Sequence, residues 1–101
     1  MKIIRKRPGQ APEVVDIEDS LQALKEQVGG RMETVTIATD CTLICNGDGV
    51  ALHLPRQEWL GLKWLGTVLM VGVYKDEFTD VPAHLVNRYC FAVQEQQGVE
   101  A

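Results

Sequence analysis

Trp64-Leu65-Gly66-Thr67-Val68-Leu69-Met70-Val71-Gly72-Val73 is the stretch that decides the fold, ten consecutive residues without a charge. A helix that crosses a bilayer needs about 20 apolar residues. A run of half that length reads instead as a strand buried on both faces, central in its sheet. Gly66 and Gly72, near its ends, suit a bulge or a close backbone approach. After it, Tyr74-Lys75-Asp76-Glu77-Phe78 reads as a loop, and a helix is expected over 81–97. Asp80 is the expected cap of that helix, and Pro82 lies in its first turn, where a missing N–H costs little. Leu85, Val86, Tyr89, Cys90 and Val93 form its inward stripe, and Gly98 ends it.

Before the apolar run, residues 56–63 fit no element. Val50, Leu52 and Leu54 alternate with Ala51 and His53, which predicts a strand closed by Pro55. Asn46-Gly47-Asp48-Gly49 combines two dipeptides that favour tight hairpins. It lacks the ring of oxygen ligands and the terminal Glu of a calcium loop. Strands are expected over 33–38 and 42–45, joined at Thr39-Asp40. Further upstream, Ile17, Leu21, Leu24 and Val28 recur at helical spacing and predict a helix over 17–28 with Asp16 as N-cap. Gly29-Gly30 ends it; this diglycine follows a helix rather than opening one, so it lacks the aligned N–H groups of a phosphate loop. Residues 2–6 and 13–15 form a first hairpin around the turn 8–12. The expected fold is therefore α+β: one domain over 1–101, an antiparallel-dominated sheet of five or six strands, and two helices packed on one face.

Composition narrows the function. Apolar residues make up 46% and charged residues 24%, the balance of a globular chain rather than a disordered one. The net charge of −4 makes direct nucleic-acid binding by overall positive charge an unfavoured reading. No membrane span and no secretory signal are expected, and three cysteines without a signal point to a reducing cytoplasm. If Cys41 and Cys45 share a strand they stand about 13 Å apart, too far for one metal or one disulfide. Cys41, Cys45 and Cys90 are therefore expected as core filler, with no metal and no cofactor. Ser20, the one serine, lies in a helix start, and His53 and His84 have no spacing that demands catalysis, so a non-enzymatic protein is expected.

Several short motifs resemble those of a small family known as a domain of unknown function. They are Leu24-x-x-x-Val28-Gly29-Gly30, Cys45-Asn46-x-x-Gly49, Leu54-Pro55, Gly66-Thr67 and Asp76-Glu77-Phe78. The resemblance spans nearly the whole chain. It implies a setting in bacteriophages, plasmids and conjugative elements, sometimes near antirestriction genes, and it supplies no active site. The family pattern often has an Asn shortly after the Leu-Pro, where this chain has Arg56-Gln57.

Binding at the surface is thus the expected task. Arg56, Trp59 and Trp64 concentrate the residue types enriched in interface hot spots and are the candidate partner-binding residues. The competing reading has Trp64 start the buried strand and Trp59 cover a sheet edge. The partner expected from the family setting is a host protein, such as a defence nuclease, blocked by docking. A second reading is capture of a phosphorylated nucleotide by Arg31, Arg56 or the basic N-terminus, where Arg5 and Arg7 lie. Against that, Glu13, Asp16, Glu18 and Asp19 follow the first turn, so the basic cluster can simply pair across strands. A third reading is a homodimer or other homo-oligomer formed through open sheet edges.

Overall fold

In a computed structural model, described over residues 1–91, the apolar run divides in two. Gly66 adopts a φ of +81° and breaks it, leaving a central strand β7 at Val68–Tyr74. The other elements, in chain order, are β1 (Lys2–Lys6), β2 (Glu13–Asp16), α1 (Leu21–Val28), β3 (Met32–Ala38), β4 (Cys41–Asn46), β5 (Arg56–Trp59), β6 (Leu62–Leu65), β8 (Glu77–Thr79) and α2 (Ala83–Val86). A π-helical turn over Asn87–Phe91 continues α2, and the remainder of the helix expected over 81–97, with Val93 of its stripe, lies outside the described residues. The main sheet has six strands, all pairs antiparallel, in the order β2-β1-β7-β4-β3, with β8 also paired to β7. β5 and β6 form a separate hairpin.

Val68, Leu69, Met70 and Val71 are wholly buried, as a strand apolar on both sides requires. The register then sorts the core by parity. Ile4, Met70 and Leu43 align across β1, β7 and β4, and pack with Cys41, Val68, Trp64, Val81, Leu85 and Cys90. On the reverse side, Ile3, Ile44, Leu69 and Val71 pack with Leu24 and Val28 of α1. The two helices therefore cover opposite faces, which corrects the expectation of one shared face. Eight residues of α1 cover one side only, and a sheet apolar on both sides must be closed on the other by the hairpin and the C-terminal helical segment.

Local chemistry explains the other departures. α1 begins after Ser20, whose Oγ accepts from the Ala23 N–H at 3.1 Å. Asp16 cannot serve as the cap because it is still in the ladder opposite Lys2, although Ile17 does join the core beneath α1. No strand forms over 50–54. That segment winds into successive turns, with Leu52 N–H donating to Asp48 O and Leu54 N–H to Gly49 O. Val50 and Leu52 are left 79% and 53% exposed, so their alternation signals no buried face.

The unassigned segment 56–63 and the expected loop 74–78 are both hairpins closed by two-residue turns. Leu60 and Gly61 take φ of 56° and 73°, and Lys75 and Asp76 take 51° and 63°. These positive angles match the twist of the flanking strands, a geometry usually given to Asn-Gly.

Candidate functional site

Within the β5–β6 hairpin, alternate residues point to opposite sides, and the register opposes Arg56 to Leu65, Gln57 to Trp64, Glu58 to Lys63 and Trp59 to Leu62. Gln57, Trp59 and Trp64 accordingly share the side facing the sheet, whereas Arg56 projects from the other side. Trp64 is only 7% exposed and its indole N–H donates to Trp59 O at 3.0 Å. Trp59 is half-buried and meets Tyr89 edge-on, with ring centroids 6.2 Å apart. The structure thus does not join Arg56, Trp59 and Trp64 into one exposed patch. Arg56 and Trp64 do line one shallow groove of about 520 Å³, together with Glu58 and Lys63, whereas Trp59 lies outside it.

Gln57, which the sequence did not single out, is what fastens the hairpin to the sheet. Its amide donates to Lys6 O at 3.0 Å and Gly66 O at 2.6 Å, and its oxygen accepts from Lys6 Nζ at 2.9 Å.

The three arginines considered for phosphate are spread across the sheet and engaged by carboxylates. Arg5 donates to Glu13 through Nε and Nη2 and to Gln27 of α1 through Nη1, and Arg7 pairs with the same carboxylate at 3.2 Å. Hydrogen bonding from Arg5 and the charges of both arginines hold the Glu13 carboxyl below its usual range. Arg31, at the far edge beside β3, donates to Gly47 O and pairs with Asp48 at 3.1 Å and Glu33 at 3.5 Å. The hydrogen bond to Asp48 raises its already high pKa. Within the basic N-terminus, cross-strand pairing engages Arg5, Arg7 shares its carboxylate, and Lys6 Nζ bonds the Gln57 side chain.

The nucleophile inventory gives no convergent site among the described residues. Cys41 and Cys90 are buried and Cys45 half-buried, and burial pushes all three thiols up, away from the reactive thiolate. His84 Nε2 meets Asp40 Oδ2 at 3.0 Å on the surface, tying α2 to the β3–β4 turn, while His53 lies exposed in the turns after β4. Among these residues no group of three or more His, Cys, Asp or Glu is arranged to hold a metal, and no helix is long and apolar enough to cross a membrane.

What the surface does offer is the edge of the sheet at β3. Glu33 to Ala38 are all exposed, Val35 and Ile37 by 38% and 40%. β3 pairs with β4 alone among the described residues, so its outer row of backbone N–H and C=O groups faces solvent. Beside it runs a groove of about 610 Å³ whose lining includes Val35, Cys45, Val50 and Leu65, with Glu33 and Lys63 also contributing. The opposite edge, β2, is short and carries Glu13 and Asp16, the usual protection against unwanted pairing. β3 lacks that protection except for a register shift between Thr36 and Ala38.

The motifs of the resemblance meet in pairs and build this scaffold. Asn46 Nδ2 donates to Val28 O at 2.9 Å, its Oδ1 accepts from Asp48 N–H at 2.7 Å, and a Cβ at Gly30 would only touch that amide, at 3.4 Å. The Leu-x-x-x-Val-Gly-Gly helix end is thus locked onto the Cys-Asn-x-x-Gly turn. Asn46→Ala is expected to cost about 2 kcal/mol by stranding one buried acceptor and one donor, read as a lower urea midpoint with unchanged slope. Likewise Gly66 N–H donates to Pro55 O at 2.7 Å, and a methyl on Gly66 would lie 2.9 Å from Leu54 Cδ1, so Leu-Pro and Gly-Thr form a second contact. Phe78 of the Asp-Glu-Phe motif packs beneath α1.

No curated protein matches the chain, and no solved structure matches it. The model of one family, a domain of unknown function designated DUF3846, matches residues 1–94, and with nearly its whole length covered the chain belongs to that family.

Proposed function

We propose that this chain is a non-enzymatic docking protein that engages another polypeptide by strand addition at β3. The observation that carries the reading is a seven-residue edge strand whose outer backbone groups are unpaired among the described residues, bordered by a groove lined by Val35, Val50 and Leu65. Strand addition draws affinity from main-chain hydrogen bonds and specificity from pockets for alternate side chains. β3 supplies the first and the neighbouring groove the second. The anti-defence role expected from the family setting is one form of this reading, in which the extended segment belongs to a host protein.

Thr34→Pro tests it, since proline on an edge strand is accommodated where its nitrogen faces solvent, yet removes a donor that an added strand would need. The wild-type chain should elute from a bacterial lysate in an assembly larger than itself, and the variant, with an unchanged circular dichroism spectrum, should elute alone. Identical elution of the two folded proteins overturns the proposal. Arg56→Ala should leave the assembly intact.

A further inference from the structure

We infer that the occupant of the β3 edge is a second copy of this chain, paired antiparallel about a two-fold axis at Thr34. The inference rests on the strand-addition reading above and names its partner. Three observations carry it.

The first is register. From Met32 to Thr36 the ladder with β4 runs without interruption, and the shift comes only after Thr36. Among the described residues, the regular stretch of this edge without a partner strand is therefore centred on Thr34. A two-fold axis there opposes Thr34 to its own copy, Glu33 to the partner's Val35, and Met32 to the partner's Thr36. No like charges face each other, and the central pair is Thr on Thr, a favourable cross-strand combination.

The second is charge. The chain carries a net charge of −4, so two copies repel unless the contact is locally neutral. β3 meets that condition, because Glu33 is its one charged residue and Arg31 Nη1 lies 3.5 Å from the Glu33 carboxylate. The acidic side chains that do gather, Asp19, Asp76 and Glu77, line a groove with Met1 and the start of α1 instead. An edge this poor in charge offers no electrostatic handle to a strongly basic or acidic partner.

The third is symmetry of the two edges. β2 is shielded by charge and β8 is three residues long, so addition at β3 leaves only these poor edges outermost among the described residues. The assembly closes as a dimer instead of growing into a fibre.

Light scattering of the purified chain over a wide concentration range tests the inference. The wild type should show twice the chain mass. Thr34→Lys and Thr34→Glu each place like charges opposite one another on the axis, and each should raise the dimer dissociation constant about tenfold. Mixing the two variants should restore the dimer, because the opposed charges then attract. Unchanged circular dichroism spectra, with a cooperative melt, establish that both variants fold. A wild type that is monomeric at every concentration overturns the inference, as does a dimer indifferent to both variants. If the monomeric wild type still captures another protein and Thr34→Pro abolishes that capture, the second copy is excluded while strand addition stands. Capture unaffected by Thr34→Pro removes both.

Discussion

Gly72→Ala is expected to destabilise the fold by about 3 kcal/mol or more, the upper end of the range for forcing a carbon into a filled site. Gly72 lies in the central strand, opposite Cys41 on one side and Thr79 on the other. A Cβ there would lie 2.1 Å from the carbonyl oxygen of Asp80 and 3.0 Å from its carbonyl carbon. Both atoms are backbone, so no side-chain rotation relieves the overlap. Relief requires moving the segment after β8, which is pinned to β1 by Lys2 N–H donating to Asp80 Oδ1 and by Val81 N–H donating to Lys2 O. Urea unfolding should show a much lower midpoint, and a loss under about 1 kcal/mol would mean that this crossing is looser than described.

Trp64→Ala should cost about 3–5 kcal/mol, the usual toll for truncating a buried aromatic. The indole sits in the cluster with Ile4, Leu43, Met70 and Leu85, and its N–H donates to Trp59 O at 3.0 Å. Arg56→Ala on the outer side of the same hairpin should stay within about 0.5 kcal/mol. The contrast decides between the two readings of this segment. If Trp64 were a docking residue, its removal would leave the urea midpoint alone and abolish partner binding.

The parts of the fold legible in the sequence are those where one physical pressure dominates. Residues 68–71 have no polar side to turn outward, so a central position follows. Gly29 takes the left-handed φ of +81° that a helix end accepts most readily from glycine. Arg5 faces Glu13 because the two strands follow one another across residues 7–12 and their opposite charges attract across the ladder. Elsewhere the local signal was overridden. Leu60 and Lys75 are unusual residues at positive φ, and each turn forms because its flanking strands pair, so the turn residues announce nothing. Val50, Leu52 and Leu54 alternate like a strand, yet the N–H groups of Leu52, His53 and Leu54 donate within the turns to Asp48, Val50 and Gly49 carbonyls. Ser20 outcompeted Asp16 as the helix cap because Asp16 is held in the ladder with β1.

The candidate site was less legible for a related reason. Trp and Arg mark interfaces by composition, but whether a side chain is free depends on the pairing of residues 56–59 with 62–65. The openness of β3 is a property of strand order. Residues 32–38 read the same whether they lie at the centre of a sheet or at its rim, and only the placement of β7 between β1 and β4 puts them at the rim.

That placement also governs how the molecule comes into being on the ribosome. The strand that belongs in the middle is nearly the last of the sheet to be synthesised, whereas its two neighbours begin at Lys2 and Cys41. Until Tyr74 has left the exit tunnel, the hairpins β1–β2 and β3–β4 have nothing between them, and Ile4 and Leu43 have no shared core to enter. The nascent chain must therefore wait, and its folding rate is set by closing distant segments around a latecomer. Ribosome-bound chains stalled before that point will be the species that chaperones hold and proteases cut.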